Sequence, residues 1–247
     1  MKTYIPKYTF KFPNNLPIGD KRYTLTYVKH MISEFVYDMG SLENNPFTFP
    51  EVQTLLDGVT VGGHKLSDQN QILNIKASWD YIIQLSRNEN IEINKTTICS
   101  IHNIVAKDEA LVVGDFRNGN IGIAGTINYK CIEASDLASI FSNDVNIINN
   151  IDNPLEKAIL INLWLSYCQF FYDGNKRTAR LTSNLILLSN NVGVLSIPAR
   201  YKHEYNSLML EFYETLEADN IIKFLLEKCV TFFDGLNYKT YKELFDI

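Results

Sequence analysis

The 247-residue sequence has no apolar run long enough to cross a bilayer, so it offers no candidate membrane helix. It has four cysteines, Cys99, Cys131, Cys168 and Cys229, none in a Cys-x-x-Cys pair. They are expected to be reduced and to act as small apolar residues. Cys99 precedes His102 by three residues, but without further ligands nearby this pair does not make a zinc site. Basic residues are not in excess: 23 Lys and Arg stand against 28 Asp and Glu, a net charge of −5. That balance argues against bulk binding of nucleic acid or anionic membrane. The start, Met1 to Lys7, lacks an uninterrupted apolar stretch of signal-peptide type, so a cytoplasmic location is expected. Asn94-Lys95-Thr96 spells a glycosylation acceptor and, without such a signal, carries no meaning. Repeats and low-complexity linkers are lacking. Gly58 to Leu66 imitates a phosphate-binding P-loop, but Lys65 falls one place late and no Ser or Thr follows it. His203-Glu204 has no second zinc-ligand histidine after it.

What is present is an ordinary globular composition, 46% hydrophobic and 21% charged, long enough to bury a sizeable core. Apolar stripes at helical spacing predict helices over 23–39, 67–85, 96–105 and 134–149, with a short one opening at Pro50 and Thr48 as its cap. Trp79 and Trp164 lie within such stripes and are expected in the core. Residues 154–171 are apolar on nearly every side, which predicts a central, buried helix. Residues 173–176 are expected as a loop, with helices over 178–188, 204–216 and 221–233. Residues 121–129 alternate and contain Gly122 and Gly125, which predicts a small β-hairpin. The fold class is therefore mainly α with one hairpin. The expected division is an N-terminal helical region at 1–93, a core at 94–235 and a C-terminal tail at 236–247.

The chemistry concentrates in Phe170-Phe171-Tyr172-Asp173-Gly174-Asn175-Lys176-Arg177-Thr178-Ala179-Arg180, a polar turn between two apolar helices. Gly174 permits a backbone conformation in which successive N–H groups converge on an oxyanion. The helix that follows adds its positive dipole end. Arg177 and Arg180, three apart, share one face and can grip phosphate oxygens together. Asp173 is a hard oxygen ligand suited to Mg²⁺. An anion nest, two guanidiniums, Lys176 and one carboxylate form a nucleoside-triphosphate site with its metal.

This run resembles the signature of Fic-domain proteins, His-Pro-Phe-x-Asp-Gly-Asn-Lys-Arg-x-x-Arg, matched in register at Phe171, Asp173, Gly174, Asn175, Lys176, Arg177 and Arg180. Glu43-Asn44 followed by Thr48, Glu51-Val52 and Leu55-Leu56 is similar to the family's N-terminal segment bearing an autoinhibitory glutamate. Gly114-Asp115-Phe116-Arg117 with Ile121 to Thr126 is similar to its flap hairpin. The resemblance implies a Fic-type helical bundle with a β-hairpin flap and a helical N-terminal extension. It also implies transfer of AMP from ATP, with Mg²⁺, to a hydroxyl of a target protein docked on the 121–129 flap by strand addition. Homo-oligomers are compatible with it. Asn175 and the Gly174 backbone would hold the α-phosphate, Asp173 the Mg²⁺, and Arg177 and Arg180 the outer phosphates, with Tyr205 bordering the base. Glu43 would close the site by pairing with Arg180.

Two positions depart from the pattern. The family's catalytic histidine is replaced by Gln169, and the following proline by Phe170. A glutamine amide can orient a hydroxyl but cannot take its proton, and general-base catalysis contributes about 10²–10⁴-fold. Met39 also stands where the inhibitory motif has Ser or Thr. Two functions follow: a Fic-type adenylyltransferase slowed at Gln169, or a catalytically inactive nucleotide-binding regulator of the same fold. A histidine-to-glutamine variant of an ordinary enzyme reads identically.

Overall fold

The computed structural model describes residues 2–88 and 91–245. Met1, residues 89–90 of the expected N-terminal region and 246–247 of the expected tail lie outside the described residues. No helix among the described residues is long and apolar enough to cross a membrane.

The chain is mainly helical, and two helices organise the rest. Helix α7 (Pro154–Cys168) starts where Asn153 Oδ1 accepts from the N–H groups of Leu155 and Glu156. Pro154 occupies the first turn, where its missing N–H costs nothing. Every residue from Ala158 to Ser166 is buried, so α7 runs through the centre, as its all-round apolar sequence predicts. Helix α8 (Asn175–Ser189) packs along it. Unlike α7 it carries polar residues into the interior: Arg177, Thr178, Arg180, Thr182, Ser183 and Asn184 are all buried. Asn184 anchors its far end, donating to Leu195 O and accepting from Leu195 N.

Around this pair lie α4 (Leu66–Leu85) and α5 (Lys95–Val105), both against α8. Helices α2 (Ile32–Leu42) and α3 (Phe49–Leu56) pack on α4, and α1 (Lys21–His30) lies against α2. The single helix expected over 23–39 is two, divided at Met31 (φ −86°, ψ 5°). A one-residue bend leaves the i, i+4 stripe intact, which is why the sequence reads as continuous. Helix α3 has the expected Thr48 start, with Glu51 accepting from the Thr48 N–H and hydroxyl. Helix α6 (Leu137–Asn149) covers the far side of α7, where Trp164 Nε1 donates to Asp144. Helices α9 (Lys202–Thr215), α10 (Asp219–Lys228) and α11 (Tyr241–Phe245) complete the shell.

The β-structure lies elsewhere than expected. Strands β1 (Gly193–Leu195), β2 (Val230–Asp234) and β3 (Asn237–Lys239) form an antiparallel sheet in that order. The helix expected over 221–233 therefore stops at Lys228. Val230-Thr231-Phe232-Phe233 is β-branched and aromatic, and with a strand on either side its backbone pairs instead of coiling. The expected hairpin at 121–129 forms no strand pair. The segment is instead held from outside: the N–H groups of Ile127 and Asn128 donate to the Glu214 carboxylate, and the Tyr129 hydroxyl donates to Tyr167 O. A lone two-stranded ribbon is marginal in water. Residues 236–245 of the expected tail hold β3 and α11, with Tyr241 buried.

Candidate functional site

The site forms where α7 ends. Gln169 takes a left-handed backbone (φ 50°, ψ 58°) and caps α7, its N–H donating to Leu165 O. Arg117 Nε donates to its carbonyl at 2.7 Å. Its amide is committed at both ends, Nε2 donating to Ser166 O at 2.6 Å and Oε1 accepting from Asn175 Nδ2 at 3.0 Å. Phe170 and Phe171 turn inward and are buried. Asn175 clasps the turn shut: its Oδ1 accepts from Phe171 N and its Nδ2 donates to Phe171 O.

Gly174 (φ 71°) then starts α8, so Asn175 and Lys176 are helical and the expected loop is shorter by two residues. A Cβ at 174 would come within 2.8 Å of the Ala106 Cβ on the turn following α5, so only glycine fits both the space and the dihedral. The amides of Asn175, Lys176 and Arg177 open the helix with no preceding turn to bond them, and they carry its positive dipole end.

Both arginines are buried to 2% exposure, and each meets a different carboxylate. Arg177 donates to Glu109 Oε1 at 2.6 Å and to Val105 O at 3.2 Å, with Asp173 Oδ1 at 3.6 Å. Arg180 Nη2 donates to Glu43 Oε1 at 2.8 Å, while its Nε and Nη1 meet no hydrogen-bond acceptor among the described residues. Burial alone would raise the Glu43 carboxyl, but the charges of Arg180, Lys176 and Arg177 outweigh it and hold the group at about 2. Glu43 caps the C-terminal end of α2, and Lys202 secures that turn by donating to Ser41 O and Asn44 Oδ1. A cleft of about 220 Å³ opens between Glu43, Ile121, Ile123, Gln169, Asp173 and Lys176, with Gly174, Asn175 and Arg177 in its wall.

Asp173 presents a half-exposed side chain (58%) beside the nest. Among the described residues no three His, Cys, Asp or Glu side chains gather as a metal cage. One carboxylate at the rim fits Mg²⁺, which keeps waters and takes substrate phosphates as further ligands. Tyr205 does not line this cleft; it is buried with its ring stacked on Phe224, and Tyr213 lines the cleft instead.

Three contributors escape sequence reasoning. Glu109 and His102 reach the loop from 68 and 71 residues away, and no local spacing signals either contact. His102 Nε2 lies 3.0 Å from Asp173 O, Gly114 N donates to its Nδ1 at 3.0 Å, and its ring stacks on Phe171 at 3.7 Å. Burial pushes its pKa down to about 4, so the imidazole is neutral with both nitrogens engaged. Arg117, seen in sequence only as part of the flap resemblance, is a buried brace. Beyond Gln169 O it donates to Gly119 O and Ile132 O, and its N–H donates to Phe170 O.

Residues 92–187 match the model of the Fic/DOC family. The chain is 25% identical over 182 residues to the protein adenylyltransferase Fic of Culex quinquefasciatus and 24% to that of Aedes aegypti. In both cases 72% of this chain is covered, and it spans about a third of the relatives' length, 35% and 36%. Among solved structures, a Fic-domain-containing signaling protein from Bacteroides thetaiotaomicron superposes with a TM-score of 0.66 at 21% identity, over 79% of this chain and 76% of that one. Fic-1 of C. elegans gives 0.66 at 19% identity, over 83% and 68%. The stretch matched by the Fic/DOC family model carries α5, the flap region and the α7–α8 turn, the parts that build this site.

Proposed function

We propose that this chain binds ATP at the turn between α7 and α8 and, as a Fic-type protein adenylyltransferase, transfers AMP to a hydroxyl of a cytoplasmic target protein, slowly because Gln169 replaces the base. The observation that carries the reading is the start of α8: the amides of Asn175, Lys176 and Arg177 have no preceding turn to bond them, those residues line the cleft, and the buried Arg180 guanidinium holds Glu43 at its edge. In this reading Gly174 and Asn175 receive the α-phosphate, and preorganised donors there stabilise charge that develops during transfer. Asp173 holds Mg²⁺, which would offset phosphate charge. Lys176 and Arg177 bear on the outer phosphates, and Arg180 takes the γ-phosphate once Glu43 leaves it. The target segment lies along 121–129, whose Ile121 and Ile123 already line the cleft.

Proton removal is the weak step. Gln169 has no basic atom, and His102 has both ring nitrogens in use. The same commitment of the Gln169 amide favours a second reading, a nucleotide-binding regulator without transferase activity. Calorimetry with ATP and Mg²⁺, followed by labelling with [α-³²P]ATP, separates them. Transfer predicts measurable incorporation by the wild type and a gain of about 10²–10⁴-fold in Gln169→His. Binding with no label in either protein leaves the regulator. Absence of ATP binding defeats both.

A further inference from the structure

His102 lies against the phosphate-binding turn, yet no step of the proposed chemistry uses it. Its surroundings fix both its orientation and its proton. A backbone amide can only donate, so the Gly114 N–H, 3.0 Å from Nδ1, requires the lone pair there. The neutral ring's proton is then on Nε2, directed at the Asp173 carbonyl 3.0 Å away. The ring cannot swing, because it lies 7° from parallel to Phe171 at 3.7 Å.

The contact decides which way the next peptide faces. In a trans peptide the C=O and the following N–H point in opposite directions, and no cis bond occurs among the described residues. Drawing the Asp173 carbonyl down onto α5 turns the Gly174 N–H the other way. It meets the Asp173 carboxylate there, on the cleft side. Gly174 then enters its left-handed conformation over Ala106, one turn beyond His102, and delivers the α8 amides into the same cleft. Through Nδ1 the ring also holds Gly114, three residues before the Arg117 brace on Gln169.

We infer that His102 is a positioning residue for the anion-binding turn: its Nε2–H fixes the Asp173 carbonyl and so sets the direction in which the first amides of α8 meet a phosphate. This rests on the reading of the turn as a phosphate site.

The test measures AMP, ADP and ATP affinity by calorimetry for the wild type, His102→Phe and His102→Gln, and records the His102 ring by ¹⁵N NMR at pH 7. Phenylalanine keeps the stacking and loses both hydrogen bonds. Affinity should fall about tenfold, the scale of one lost hydrogen bond. The factor should be the same for all three nucleotides, because the turn serves the phosphate they share. Glutamine carries its amide nitrogen near the place of Nε2 and should recover most of the loss, a rescue that packing alone would not produce. The spectrum should show the proton on Nε2. Unchanged affinity in His102→Phe, no recovery in His102→Gln, or a proton on Nδ1 would each overturn the inference. Should His102→Phe fail to fold, the glutamine variant and the spectrum decide. A wild type that binds none of the three nucleotides removes the phosphate-site reading, and the inference with it, while the other failures leave that reading standing.

Discussion

Removing the Glu43 carboxylate should weaken the empty protein and strengthen its hold on ATP, two effects of opposite sign from one substitution. In Glu43→Ala, Arg180 keeps its charge, stays buried and loses its acceptor at 2.8 Å. The carboxyl sits at about 2 against an ordinary 4.5. That difference is worth about 3 kcal/mol at neutral pH. Breaking a buried pair typically costs about 3–5 kcal/mol, and with 17% of the Glu43 side chain exposed the lower end applies. For a chain of this length that corresponds to a fall in Tm of about 6–12 °C. Because the carboxyl is held low, its stabilisation is full above about pH 4.5 and fades only as pH falls toward 2, so the comparison belongs at pH 7. With Arg180 released, ATP should bind about tenfold more tightly, which adds about 1.4 kcal/mol of ligand stabilisation. The assay is thermal melting of both proteins with and without saturating Mg·ATP. The variant should melt lower alone and gain more from ATP, by about 3–5 °C. An equal ATP gain in the two proteins would reduce Glu43 to a structural partner of Arg180. An unchanged Tm would show that the pair contributes nothing.

Three other outcomes are expected. Arg180→Ala should weaken ATP more than AMP in calorimetry, since its assigned partner is the γ-phosphate; equal losses would remove that assignment. Gly174→Ala should destabilise by about 2–4 kcal/mol, through a left-handed dihedral and the 2.8 Å approach to Ala106. Adding Ala106→Gly should relieve the second part only, and strictly additive effects in denaturant melts would refute the steric account. Asp38, buried and accepting from Ala199 N and Ser196 Oγ, is pushed up to about 6 by burial. The folded state therefore holds its proton more tightly than the unfolded chain. This stabilisation is full below about pH 4 and is lost as pH rises through 6. Asp38→Asn should thus gain on the wild type by about 2–3 kcal/mol more at pH 7.5 than at pH 4, and a pH-independent difference would contradict it.

The sequence located the α7–α8 turn better than the elements packed around it. Helix α7 was legible because apolar residues occur all round it, and the 171–180 signature because so many chemistry-bearing types stand in fixed register. The pairing of Glu43 with Arg180 could be expected only through family resemblance, since 137 residues separate them. Helix α8 was expected three residues late: a glycine cap permits a polar first turn, which in sequence looks like loop. Strand β2 was hidden because Val230 to Phe233 continues an apolar run after α10, and only partners on both sides decide in favour of a strand. His102 and Glu109 were invisible for the same reason: their roles exist only once α5 is laid against the turn.

Position 169 is mounted by its main chain. The Arg117 guanidinium grips its carbonyl, and its N–H closes the last turn of α7. The two bonds its side chain makes end on Ser166 O and on Asn175, which keeps both of its own contacts to Phe171 without them. A part seated this way can be exchanged without refitting the socket. On the proposed reading, the residue at 169 could therefore change during descent while the turn offered to nucleotide kept its shape.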